Sequence, residues 1–168
     1  IFVEMPENSP SSRSLLFLRI TILFIALFYL GVHIADHNWT RNKPNERGVI
    51  HWDVISYYAY LPATFIYGDV TLGFLDNPPE GFVNDDKFWF YEMETGKRLI
   101  VTSMGMSFMY APGFFMARTL APLFGQARDG YSSIYQLLLV IILLMYVIIG
   151  FVILKNLLLR YFSPRVTI

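Results

Sequence analysis

Apolar positions dominate this chain in two long runs, and everything between them is patterned on a shorter scale. Leu15 to Ile34 reads "LLFLRITILFIALFYLGVHI", about 20 residues with Arg19 near its start, long enough for a hydrocarbon core roughly 30 Å thick. Ile134 to Leu154, "IYQLLLVIILLMYVIIGFVIL", holds no charge and is followed by Lys155, Arg160 and Arg165. A secretory signal is the rival reading of the first run, but "GVHIADHN" offers no small-x-small cleavage site. The pattern predicts transmembrane helices over 14–35 and 132–156. Basic residues before the first run and after the second put 1–13 and 157–168 in the cytoplasm and 36–131 outside, by the positive-inside rule.

A third segment, Gly105 to Phe124, "GMSFMYAPGFFMARTLAPLF", has the length of a crossing. Against a crossing stand Arg118, Pro112, Gly113 and Pro122, since a charge inside hydrocarbon is expensive. Parity weighs more: a third crossing would carry Lys155, Arg160 and Arg165 to the outer side. The segment therefore reads as a broken helix lying in, or re-entering, the outer interface. Between the runs, turn signals at 42–48 and 76–81 bracket a helix from about Trp52 to Tyr60 that restarts after Pro62. "KFWFYEMETGKRLIVT" (87–102) alternates about Thr95-Gly96 and predicts a β-hairpin. The fold class is mainly α and integral to a membrane, with two transmembrane helices. A long extracytoplasmic loop joins them, with surface helices near 52–68 and 104–124 and a short hairpin.

Composition agrees. The chain is 55% hydrophobic, 17% aromatic and 15% charged, with mean hydropathy +0.45, against about 25% charge in soluble domains. Zero net charge points to neither a nucleic-acid partner nor an acidic substrate, and the lack of cysteine removes disulfides and thiolate chemistry. Beginning at Ile1 and ending just past an apolar run, the chain is expected to be part of a longer polypeptide.

Chemistry is sparse, and most of it lies in the outer loop. Asp53, Tyr57, Tyr60 and Thr64 share one helical face by spacing. Asp53 reads either as a helix cap among interfacial tyrosines or as a general base beside a lipid-borne substrate. Arg118 on an apolar face calls for an anionic partner or snorkelling. Lys97 and Arg98 could clamp a phosphate or stand as ordinary exposed charges. His51 reads as a proton shuttle, a metal ligand or a plain polar side chain. Asp85 and Asp86 read as a cation site or a solvated turn, and "MGMSFM" as flexible packing rather than a metal site. "NWT" (38–40) is a formal glycosylation sequon.

One arrangement links these parts. An apolar run, an outer loop opening with W-D-x-x-x-Y-Y-x-Y-L-P, then "GMSFMYAPGFF", then "DGYSSIYQ" leading into a second run resembles bacterial membrane glycosyltransferases of the GT-C superfamily, such as those of Bacteroidetes. The likeness covers about residues 15–160 and corresponds to the amino-terminal part of such an enzyme. It implies a bacterial inner-membrane location, a polyprenyl-phosphate sugar donor, and membrane lipid as surroundings. An acidic residue of the first outer loop then serves the acceptor as base or as contact for a divalent metal ion, a role that carries onto Asp53. Basic residues of the same loop meet the donor phosphate, here Lys97, Arg98 and Arg118, with Tyr57 and Tyr60 lining the substrate. Relatives carry Lys-Tyr-Pro-x-Gly where this chain has Val101, Thr102, Ser103, Met104 and Gly105, so the lysine is missing. The alternative is a non-catalytic accessory subunit, one of several in a larger membrane complex.

Overall fold

The computed structural model describes residues 12–35, 48–78 and 90–162. The sequon at 38–40, the pair Asp85 and Asp86, residues 1–11 and the chain beyond 162 lie outside the described residues. The described chain is mainly helical: α1 (Ser12–Ala35), α2 (Asp53–Tyr58), α3 (Tyr60–Phe65), β1 (Phe90–Glu92), β2 (Arg98–Ile100), α4 (Gly105–Leu120) and α5 (Ser133–Leu158). Single 3₁₀ turns follow at Gly73–Asp76 and Ala121–Phe124. Two compact units result, Ile1–Val32 with Leu144–Ile168, and His33–Leu143.

In the first unit α1 and the later turns of α5 flank an apolar groove lined by Ile22, Ile25, Ile148 and Phe151, with Lys155 as its one charged wall. Two stretches, Leu15–His33 and Ser133–Leu158, are long and apolar enough to cross a membrane. Phe17, Phe24 and Phe28 of α1 stay exposed, so its apolar surface is not consumed by a protein core.

The second unit is built on one amphipathic stripe. Ser107, Tyr110, Phe114, Ala117 and Ala121 are buried, recurring at the three- and four-residue spacing that aligns side chains along a helix. Against this stripe pack Tyr58 and Phe65, with Tyr58 edge-on to Phe114 at 6.0 Å and to Tyr131 at 5.9 Å. Gly113 brings α4 close to α5: a Cβ there would lie 3.2 Å from both Ile142 Cγ2 and the Leu138 carbonyl oxygen.

Two proline expectations need correction. The second helix restarts at Tyr60, before Pro62 rather than after it. Pro62 occupies the third position of α3, where its missing N–H would have had no partner inside that helix anyway. Ala59 keeps a helical backbone, accepts from Ala63 N at 3.0 Å and donates to Ile55 O at 2.8 Å. Likewise the 105–124 segment is not broken in its middle, because α4 runs through Pro112. Phe108, whose carbonyl loses a donor to that proline, lies with Pro112 on the exposed side of the helix, where such a gap is tolerated. The interruption comes later, around Pro122.

The hairpin stands where the alternation puts it. Phe90 pairs with Ile100, Tyr91 with Leu99 and Glu92 with Arg98, and Met93 closes the turn through Lys97 O and Gly96 N, both at 2.8 Å.

Gln136 joins the two ends of this unit. It is fully buried; its Oε1 accepts from Ile50 N at 2.7 Å and its Nε2 donates to Tyr131 O at 3.1 Å. Replacing Gln136 by leucine strands both backbone groups, each costing about 1–3 kcal/mol when buried without a partner. Gln136→Leu should therefore lower the thermal midpoint of the protein by several degrees, while Gln136→Glu should keep the Ile50 contact at low pH.

Candidate functional site

The stripe of Asp53, Tyr57, Tyr60 and Thr64 is the less buried side of α2 and α3: Asp53 and Thr64 are exposed and the tyrosines half-buried. The other side, with Ile55, Ser56, Tyr58, Leu61, Pro62 and Ala63, is buried. Asp53 does not cap its helix. Trp52 occupies the cap position and makes no side-chain capping hydrogen bond, and Asp53 is the first residue of α2. Among the described residues its carboxylate has no hydrogen-bond or ion-pair partner, so it faces outward as an acceptor. His51 beside it is half-buried, with Nδ1 enclosed and unpartnered.

The other proposed site residues go to different places. The Tyr57 carbonyl accepts from the Ser107 hydroxyl, which seats α2 on the first turn of α4. Tyr60 donates to Thr102 O at 2.6 Å and ties the foot of the hairpin to α3; burial raises its pKa. Arg98 is already engaged, pairing with Asp76 at 2.7 Å, reaching Leu72 O at 3.4 Å and lying 5.4 Å above the Phe90 ring. Lys97 is exposed in the hairpin turn. Arg118 is in the last turn of α4, within electrostatic reach of the Tyr135 hydroxyl. It sits about 16 Å of helix beyond Ser107. The structure thus brings Asp53 and Tyr57 together and leaves Arg118 at the far end of the α4 contact.

Beneath this surface is a floor that the residue-by-residue reading of the sequence did not assign. Tyr58 donates to Gly130 O at 2.6 Å and Tyr67 to Asp129 O at 2.8 Å. Gly130 has φ of 86°, and a Cβ there would meet Pro62 Cβ at 2.7 Å, so the turn can close over the proline only at a glycine. Asp129 Oδ1 accepts from Tyr131 N and Ser132 N, and Gln126 Oε1 from Ile134 N, all at 2.8 Å. These acceptors satisfy amides at and before the start of α5 that have no intrahelical partner. Asp69, the second acid of residues 52–69, is spent structurally. Asp69 accepts from Thr71 N and Gly73 N, both at 2.8 Å, and from the Thr71 hydroxyl. The Thr71 bonds chiefly hold its pKa below the usual value. Gln136 and Gly130 had signals in the sequence, a lone amide opening an apolar run and a glycine just before a helix. Among the described residues no group of three or more His, Asp or Glu is placed to hold a metal ion.

Burial raises the pKa of Tyr58 and Tyr67, strongly for Tyr58, and nearby Asp129 adds to both. A raised folded-state pKa contributes stability that is complete below the unfolded value of about 10 and is lost as pH climbs through the folded value. The fold should therefore weaken steeply above about pH 10. Replacing both tyrosines by phenylalanine should lower stability at neutral pH and flatten that alkaline loss, as read by denaturant melts across pH.

No protein-family model matches this chain, and no curated protein and no solved structure matches it either.

Proposed function

We propose that this chain is part of a membrane glycosyltransferase that moves a sugar from a polyprenyl-phosphate donor to an acceptor at the outer face of a bacterial inner membrane. The observation that carries the reading is the convergence of its three motif segments. Residues 52–69, 105–115 and 129–136 interlock through Tyr57–Ser107, Tyr58–Gly130, Tyr67–Asp129 and Tyr58–Phe114, and they leave Asp53 exposed and unpartnered on top. Segments far apart in sequence that build one floor under one carboxylate are what a shared site requires.

On this reading α1 and α5 cross the membrane, 1–13 and 157–168 lie in the cytoplasm, and 36–131 lies outside. Met106, Phe108, Phe115 and Met116 of α4 are exposed; an apolar outward face of this kind suits a helix resting in the lipid interface. The donor's isoprenoid tail stays in the bilayer and its sugar is presented at headgroup level. The acceptor hydroxyl oxygen attacks the anomeric carbon, the bond from that carbon to the phosphate oxygen breaks, and Asp53 takes the hydroxyl proton. Polyprenyl phosphate leaves with the bonding electrons. Cationic groups stabilise that departing charge; Lys97 and Arg118 have no ion-pair partner among the described residues, whereas Arg98 would first have to leave Asp76.

A second reading, a non-catalytic accessory subunit of a larger membrane complex, is favoured by that spent arginine and by the distance of Arg118 from Asp53. The two separate cleanly. In membranes carrying the full-length protein, Asp53→Asn should cut consumption of polyprenyl-phosphate sugar by about 100-fold or more, the scale of a lost general base, with insertion unchanged. Undiminished transfer would remove Asp53 from the chemistry and leave the accessory reading.

A further inference from the structure

Within the first unit, the groove between α1 and α5 has Leu18, Ile22 and Ile25 as one wall and Val147, Phe151 and Lys155 in the other. On α5 it runs from Val147 to Leu158, about 16 Å of helix. That is close to half of a hydrocarbon core roughly 30 Å thick, so the groove has the depth of one leaflet. Two of its walls are polar. The Thr21 hydroxyl is turned back to Phe17 O at 3.0 Å, which leaves the half-buried Lys155 ammonium as the group a ligand would meet.

Charge in this unit has one sign. Its described residues, 12–32 and 144–162, hold Arg13, Arg19, Lys155 and Arg160 and no Asp or Glu. α1 leaves the unit after Val32 and α5 enters it at Leu144, so the four cations gather towards the opposite ends of both helices. A lysine in an apolar groove, in a unit without acids among its described residues, takes its countercharge from outside.

We propose that the groove binds one anionic phospholipid of the cytoplasmic leaflet, with an acyl chain between α1 and α5 and the phosphate at Lys155. This rests on the crossing of α1 and α5 proposed above and is independent of sugar transfer. A phospholipid presents a hydrocarbon chain and then a phosphate, the order in which the groove presents apolar walls and then an ammonium. Lysine meets such a phosphate as a point charge. A zwitterionic lipid brings its own cation beside the phosphate and has less to gain there. Exposed Arg13 and Arg160 need no bound lipid, since basic residues at the cytoplasmic ends of spans are general. Lys155 is the cation that ties charge to the groove.

Native mass spectrometry of the full-length protein reads the lipid it retains after release from nanodiscs of equal phosphatidylglycerol and phosphatidylcholine with matched chains. Phosphatidylglycerol should be retained about fivefold over phosphatidylcholine, the scale of one lysine near an anionic headgroup. Lys155→Gln should bring the two lipids level, and Lys155→Arg should keep the preference. Arg160→Gln, outside the groove, should also keep it. Ile148→Trp, which fills the groove, should remove the retained lipid. Equal retention of both lipids by the unaltered protein overturns the proposal, as does a preference that survives Lys155→Gln. A loss in Arg160→Gln as large as that in Lys155→Gln overturns it too, by assigning the preference to a basic end rather than to the groove. Undiminished lipid in Ile148→Trp does the same, since a second helix or no ligand then occupies this space. Carbonate washing separates the site from the membrane placement. Protein stripped from membranes sinks the crossing of α1 and α5 and this site with it, whereas protein that stays but shows no lipid preference sinks the site alone.

Discussion

The second unit depends on the seat that Tyr58 and Pro62 make for the turn at Gly130. The Tyr58 hydroxyl satisfies the Gly130 carbonyl at 2.6 Å, while the proline ring lies where any Cβ at that position would be. This one contact fixes where α5 begins relative to α2 and α3. The rest follows from it: Tyr131 and Tyr135 enter the aromatic core, Gln136 reaches Ile50, and the chain before α2 is pinned. A buried hydrogen bond contributes little net stability when made and costs much more when one partner is lost. The contact therefore acts more as a register pin than as glue.

That logic accounts for Tyr58, Tyr60 and Tyr67. Phenylalanine would fill the same volume, but the carbonyls of Asp129 and Gly130 would then be left without the donors they now have. Tyr58, Tyr60 and Tyr67 each place a ring in packing and a hydroxyl on a loop carbonyl 40 or more residues distant in sequence. The loops between helices are thereby held by their backbones, and the surface above them is free to carry chemistry.

How much of this was legible in the sequence divides along physical lines. The two long apolar helices and the hairpin were legible because periodicity and a Thr95-Gly96 turn are local signals. The helix restart was placed too late because proline's missing N–H is harmless in a first turn, so α3 already begins at Tyr60. For Pro112 the expectation of a break failed because the affected carbonyl lies on an exposed face. Arg98 read as a phosphate clamp because nothing in sequence links it to Asp76, 22 positions away. Asp53 stood out as a lone acid among rings, yet only the fold separates it from a helix cap.

The separation of charges narrows the chemistry that this segment can perform by itself. A phosphate spans only a few ångströms, whereas Arg118 lies about 16 Å of helix beyond the point where Tyr57 meets α4. A phosphate held by Arg118 would therefore lie well along α4 from that point. On the proposed reading the exposed face that carries Asp53 is therefore the acceptor half of a transfer site, placed to orient a hydroxyl and take its proton. On that reading the countercharge for the leaving phosphate stands apart from this surface, towards the Arg118 end of α4.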